Sequence, residues 1–114
     1  MTAYAIATLR DLNYGPDIAG YIRKIDATLD EYGGRFLIHG GRTEPLEGDW
    51  PHDIVVLLEF ADMDRARAWY DSPGYQAILK LRTDNAKGDV ALVQGVPEGY
   101  RATDVLERIG LAGA

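Results

Sequence analysis

The chain contains no cysteine, and basic residues are in the minority. Its 114 residues include 12 Lys and Arg against 18 Asp and Glu, for a net charge of −6. The lack of cysteine excludes disulfides, thiol chemistry and Cys-ligated metal sites. The shortage of positive charge argues against nucleic acid and against an anionic membrane surface as partners, since both are bound through basic side chains.

Long apolar segments are also missing. No run approaches the ~20 residues of a transmembrane helix. The N-terminus enters a strand without the charged and apolar regions of a signal peptide. We therefore expect a cytoplasmic protein. The length favours one folded domain, which we place at residues 1–96. Residues 97–114 form a tail with a weak amphipathic pattern, which predicts a short helix that docks on a partner subunit.

The residues that usually hold metals and cofactors are scarce. There are two histidines, without the spacing of a zinc site. Gly40-Gly41 lacks the spacing of a phosphate-binding loop. The single serine, Ser72, lies outside any Gly-x-Ser-x-Gly motif and suits a helix cap better than a nucleophile. The sequence therefore predicts neither a metal nor a cofactor.

Hydrophobic periodicity predicts the element order β-α-β-β-α-β. Alternating or apolar runs indicate strands, and apolar residues at helical spacing indicate helices. Proline or a capping residue opens each helix, and Ser72-Pro73 breaks the second helix and restarts it in a new direction. This order is typical of an α+β, ferredoxin-like fold with a four-stranded antiparallel sheet. The predicted strands are 3–9, 35–41, 54–60 and 89–94, and the helices cover 16–32 and 62–84.

The third predicted strand, residues 54–60, is apolar on both faces. Ile54, Val56, Leu58 and Phe60 point one way, whereas Val55 and Leu57 point the other. A sheet with one solvated face alternates apolar with polar residues instead. Because the helices cover one face only, a second subunit is the simplest cover for the other face. The pattern predicts a homodimer through the β-sheets.

Several stretches of the chain resemble the domain of unknown function 1330 family of small bacterial proteins. The similarity extends over roughly residues 3–95, and the combination of Glu-Gly-Asp-Trp-Pro with Trp-Tyr-x-Ser-Pro-x-Tyr is specific. The matching stretches are 32–37 (YGGRFL), 40–41 (GG), 46–51 (LEGDWP), 56–60 (VLLEF) and 66–75 (ARAWYDSPGY). The resemblance implies a dimeric α/β barrel in which two four-stranded sheets come together, and it implies no particular reaction.

His39 is the first candidate for catalysis. Imidazole is the side chain that most readily exchanges a proton near neutral pH. Strand alternation places Arg35, Leu37 and His39 on one face, with Phe36 and Ile38 on the other. Gly40 and Gly41 leave space beside His39. The alternative is a partly exposed histidine at a strand end, with no function.

Glu59 is the second candidate, because it is the only charged residue in an apolar strand. A buried carboxylate can serve as a general acid or base. The simpler interpretation is a strand-end carboxylate that pairs with an arginine, either Arg35 or Arg82.

The candidate ligand-binding residues are Trp50, Tyr70, Tyr75 and Arg82. Their rings and charge suit a pocket for a small organic molecule, and the two tyrosines flank the helix break. Ordinary packing between helix and sheet is the alternative. Two functions therefore stay open: a cofactor-independent enzyme acting on a small organic molecule, or a non-catalytic homodimeric module for ligand binding or structure.

Overall fold

Four strands and three longer helices follow one another in the predicted order. A computed structural model describes all 114 residues. The tail contains only a short 3-10 turn at Ala102–Asp104 and one turn of helix. The elements are β1 (Ala3–Arg10), α1 (Pro16–Asp30), β2 (Arg35–His39), β3 (Ile54–Phe60), α2 (Met63–Asp71), α3 (Pro73–Thr83), β4 (Lys87–Gln94) and α4 (Val105–Arg108).

The helix break follows from two capping residues. The Asp62 carboxylate accepts a 2.7 Å hydrogen bond from the Arg65 backbone N–H and so opens α2. Ser72 ends α2 in an extended conformation, and its hydroxyl accepts a 3.2 Å hydrogen bond from the Tyr75 N–H. Pro73 then occupies the first turn of α3, where its missing N–H costs nothing. The predicted break is confirmed.

The four strands form one antiparallel sheet in the order β2-β3-β1-β4. Strand β1 is central, and Ala5 lies opposite Leu58 of β3 and Leu92 of β4. This arrangement is the predicted α+β, ferredoxin-like fold. None of the helices combines the length and apolar composition needed to cross a membrane.

One face of the sheet, here called the helix face, carries the core. Ala3 and Ala5 of β1 are almost fully buried, and so is Ala66 of α2. Because these side chains are small, α2 approaches the sheet closely. Larger residues complete the core beside them, namely Ile25, Leu29, Leu58, Phe60, Trp69, Tyr75 and Ile78.

A β-bulge in β2 changes which residues share a face. Phe36 lies opposite Leu58 and His39 opposite Val56, but Ile38 lies opposite Leu57, so the register shifts at Leu37. The predicted alternation is therefore wrong at this point. Phe36 and His39 lie together on the helix face, and Ile38 lies on the other face, because one extra residue reverses the parity of all that follow.

The opposite face, here called the open face, has no covering element within the chain. Its apolar side chains are neighbours across the strands: Ile6 lies opposite Leu57, and Leu57 lies opposite Ile38. Ile38 and Val93 are 43% and 44% exposed. An apolar sheet face without cover is the observation that the homodimer prediction requires.

Two segments extend the molecule beyond its core. The chain measures 56 × 35 × 20 Å with a radius of gyration of 16.5 Å, against about 13 Å for a compact domain of this length. The connection 40–51 is exposed throughout, and the tail 97–114 has no buried residue. Ile109 and Leu111 of the tail expose about half of their surface.

We expect Gly34→Ala to destabilise the fold by about 1–3 kcal/mol through overpacking. A Cβ atom at Gly34 would lie 2.6 Å from the Phe60 ring and 2.7 Å from Leu29, both in the core. Gly41→Ala is the matched control, because no atom lies within 4 Å of its added Cβ. Urea unfolding of both variants measures the difference. Equal midpoints for the two variants would contradict the packing described.

Candidate functional site

A cavity of about 240 Å³ lies between the helix face of the sheet and helices α1 and α3. Small-molecule sites in proteins have volumes of about 300–1,000 Å³, so a ligand held there is small. Most of the lining is apolar. The walls include Ala7, Ile18, Ile25, Phe36, Val56 and Leu58.

The small residues of β1 explain where the cavity forms. Ala5 and Ala7 both line it, and neither fills the space that a larger side chain in the centre of the sheet would occupy. Helix α2 packs on β1, and its Ala66 shares a buried cluster with Ala3, whereas α1 packs mainly on α3. The space above Ala7 therefore stays open.

Two tyrosine hydroxyls meet at the cavity wall. Tyr21 of α1 and Tyr75 of α3 share a hydrogen bond of 2.7 Å between their oxygens, in which either hydroxyl can donate. Their rings are nearly perpendicular, with centroids 6.1 Å apart. Burial raises the pKa of Tyr21 above its usual range, and the adjacent Tyr75 adds to the shift. Tyr21 therefore stays protonated and can donate or accept a hydrogen bond, but it does not act as a base.

Arg82 places a positive charge at the same wall. Its side chain is largely buried, with only 8% of the residue exposed. The guanidinium carbon lies 5.8 Å from the centroid of the Tyr21 ring, a cation–π distance. Burial alone would lower the pKa of Arg82, but the Tyr75 and Tyr21 hydroxyls raise it, and the net shift is upward. The guanidinium stays charged.

His39 lines the cavity from the sheet side. Its imidazole stacks on the Phe36 ring with centroids 4.5 Å apart and planes inclined by 28°. The residue is exposed, so the imidazole reaches solvent as well as the cavity. The bulge at Leu37, rather than simple alternation, turns His39 onto the helix face.

Of the two predicted tyrosines, only Tyr75 lines this cavity. Tyr70 lies outside it and lines a separate shallow cleft with Met63 and Leu92. The Tyr70 ring contacts the Tyr75 ring, with centroids 5.6 Å apart.

Trp50 also lies away from the cavity. It belongs to the exposed connection before β3 and adopts a left-handed backbone conformation with φ of 42°. Its ring meets the edge of His52 at a centroid distance of 5.2 Å. His52 is partly buried, and its Nδ1 atom has no hydrogen-bond partner.

Glu59 lies on the open face, on the other side of the sheet from the cavity. It sits directly opposite Arg35, and its carboxylate accepts a hydrogen bond of 2.9 Å from Arg35 Nε. A second guanidinium nitrogen, Nη2, lies 2.8 Å from the same oxygen. The simpler interpretation of Glu59, an ion pair with Arg35, is what the structure shows.

Tyr21 is the residue that sequence reasoning missed. The sequence presents it as one member of the apolar stripe of α1. The available signal was its hydroxyl, because a buried tyrosine needs a hydrogen-bond partner that an aliphatic stripe does not supply. No group of three or more His, Cys, Asp or Glu side chains is arranged to hold a metal.

The sequence profile of a domain of unknown function, DUF1330, matches residues 2–96. The chain belongs to the DUF1330 family. The matched segment of this DUF1330 protein ends just before the tail 97–114 begins. No curated protein matches its sequence significantly.

Solved structures of similar fold extend over most of the DUF1330 chain. A protein of unknown function from Rhodopseudomonas palustris has 17% identity and a TM-score of 0.64, over 84% of this chain and 83% of its own. A dimeric ferredoxin-like protein of unknown function from Jannaschia sp. CCS1 has 16% identity and a TM-score of 0.57, over 83% and 100%. SnoaB of Streptomyces nogalater, a cofactor-independent oxygenase, has 17% identity and a TM-score of 0.51, over 88% and 96%.

The raised pKa of Tyr21 predicts a loss of stability in alkaline solution. An unfolded tyrosine loses its proton near pH 10, whereas folded Tyr21 keeps it. Below pH 10 the folded and unfolded states both keep this proton, so Tyr21 causes no loss of stability there. Above it, the free energy of unfolding should fall by up to about 1.4 kcal/mol per pH unit for this one proton.

Urea midpoints measured from pH 9 to 11 test this dependence. Tyr21→Phe should flatten the decline by one proton, and the exposed Tyr14→Phe serves as the matched control. The same slope in Tyr21→Phe and the native DUF1330 protein would show that another group causes the loss.

Proposed function

We propose that the cavity binds a small organic molecule and that His39 transfers a proton to or from it without a cofactor. The supporting observation is that His39 of β2 lines one small apolar cavity together with Tyr75 and Arg82 of α3. Apolar walls with a few convergent polar groups are typical of small-molecule sites.

Each polar group has a distinct part in this proposal. The imidazole of His39 exchanges the proton, since it faces both the cavity and the solvent that replenishes it. The Tyr75 hydroxyl, held by Tyr21 at 2.7 Å, presents a hydrogen bond of fixed direction to an oxygen of the ligand. The apolar walls exclude water and orient the rest of the molecule.

The fold is compatible with chemistry that needs no cofactor. SnoaB, which shares this fold with the chain at 17% identity, is a cofactor-independent oxygenase. A likeness at this level concerns the fold, so the proposal depends on the cavity and not on the reaction of that protein.

The second candidate is a binding module without catalysis. One observation favours it: the Tyr21 and Tyr75 hydroxyls hydrogen-bond to each other, so neither hydroxyl needs a reacting ligand as its partner. In this case His39 would contact the ligand but change nothing in it.

A comparison of co-purified small molecules separates the two candidates. Native protein and His39→Gln are purified in parallel, and mass spectrometry identifies what each releases on denaturation. If His39 acts on the ligand, the variant should retain a substrate that the native protein converts. Because His39 is exposed, melting temperatures should agree within about 2–3 °C. The same molecule in both samples would contradict catalysis by His39.

Binding in the cavity is tested by one variant and a matched control. Ala7→Phe places a ring inside the cavity, whereas Ala27→Phe places one on the exposed surface of α1. Ala7→Phe should lose the co-purified molecule and Ala27→Phe should keep it. Retention of the molecule by a folded Ala7→Phe would place its site elsewhere.

We also propose that two copies pair through their open faces. The support is the uncovered apolar surface around Ile6, Leu57 and Ile38, together with the dimeric state named for the ferredoxin-like protein from Jannaschia sp. CCS1. The exposed tail residues Ile109 and Leu111 are then available to dock on the partner subunit.

Sedimentation at micromolar concentration should give twice the 12.6 kDa mass of the chain. Leu57→Asp should yield the monomer, because it places an unpaired charge in the centre of the interface. Ala27→Asp, on the exposed surface of α1, should remain dimeric. A native protein that sediments only as a single chain would overturn the proposed pairing.

A further inference from the structure

The Arg82 guanidinium lines the apolar cavity without a carboxylate partner. The ion pairs of the chain join Arg35 to Glu59, Arg42 to Glu44, Arg65 to Asp62 and Lys87 to Asp11, and none includes Arg82. Exposed cations need no partner, but Arg82 is buried. A charge removed from water is costly unless an opposite charge or several hydrogen bonds compensate for it.

No carboxylate of the chain forms an ion pair with Arg82, and Asp17 of α1 contacts a neutral amide instead. Asp17, at the start of α1, accepts a 3.2 Å hydrogen bond from Asn85 Nδ2. Asn85 in turn is held by the Leu81 carbonyl through the same nitrogen, at 2.9 Å. What faces Arg82 is the Tyr21 ring and two neutral hydroxyls, which supply polarity but no negative charge.

The rest of the cavity lining determines what kind of molecule can accompany the charged group. Most of the other side chains that line the cavity are apolar. The exceptions are the partly polar rings of Tyr14 and Trp69. The Trp69 indole N–H is not free for a ligand, because it donates a 3.0 Å hydrogen bond to Thr28 Oγ1. A molecule that fits must therefore be apolar over most of its surface and polar at one end.

We propose that the ligand is a small, largely apolar organic acid whose carboxylate pairs with Arg82. This inference depends on the proposed function, because it assigns a chemical class to the molecule in the same cavity. The planar guanidinium offers parallel N–H donors to both carboxylate oxygens. The Tyr75 hydroxyl adds a further donor when it accepts the hydrogen bond that Tyr21 donates to it. A cavity of about 240 Å³ suits an acid with a single ring and a short side chain.

The net charge of −6 does not oppose this assignment. Charges on the surface are screened over about 8–10 Å at physiological ionic strength. A guanidinium inside an apolar cavity is screened far less, so its attraction dominates once the acid has entered.

Two matched probes test the charge of the ligand. 3-Phenylpropanoate and its primary amide have the same shape and differ in charge, and calorimetric titration measures the affinity of each. We expect the native protein to bind the carboxylate at least about tenfold more tightly than the amide. In Arg82→Met this preference should fall to about one. Arg23→Met, which removes an exposed arginine of α1, should keep it.

The outcomes distinguish this inference from the function on which it rests. Equal binding of both probes by the native protein overturns the acid and leaves the cavity as a binding site. A carboxylate preference that persists in Arg82→Met overturns the role of Arg82. If neither probe binds, nor the uncharged single-ring probe n-propylbenzene, both proposals fail. The comparison within the native protein decides the matter even if Arg82→Met does not fold.

Discussion

The alanines of the central strand determine how close each helix comes to the sheet. Ala3 and Ala5 share one buried cluster with Ala66, and α2 packs directly on the sheet. At Ala7 no helix packs directly on the sheet. Helix α1 contacts α3 instead, through the Tyr21–Tyr75 hydrogen bond and the Arg82–Tyr21 contact. One stripe of small residues thus gives a dense core at one end and a cavity at the other.

The two faces of the sheet have different surroundings, and this difference separates the candidate residues. On the helix face, His39, Tyr75 and Arg82 approach an apolar space in which electrostatic interactions are strong. On the open face, Glu59 and Arg35 neutralise each other at the edge of an apolar surface. The ion pair is partly solvated, so it contributes little to stability. It also leaves the apolar centre of the open face free of unpaired charge.

The bulge at Leu37 connects local backbone geometry to the site. Without the extra residue, alternation would place His39 on the open face whenever Phe36 occupies the helix face. With it, both rings lie on the helix face and stack at 4.5 Å. The position of the candidate acid–base group therefore depends on one residue of register, which is a common role of bulges near functional sites.

The order of elements, the helix starts at Pro16, Asp62 and Ser72, and the two-faced third strand could be predicted from the sequence. These features depend on local propensity and on the periodicity of neighbouring residues, which are written in the chain itself. The family relationship also follows from contiguous motifs. The same local reasoning recognised that Glu59 would suit an ion pair with an arginine.

Only the tertiary structure decided which residues meet. Tyr21 and Tyr75 are 54 positions apart, and their hydroxyls meet because α1 and α3 pack side by side. Tyr70 and Trp50 have equally suitable rings, but they point to other surfaces. The cavity is a volume between elements, so no periodicity encodes it. The direction of His39 depended on a bulge, and a bulge is set by the pairing of two strands rather than by the sequence of one.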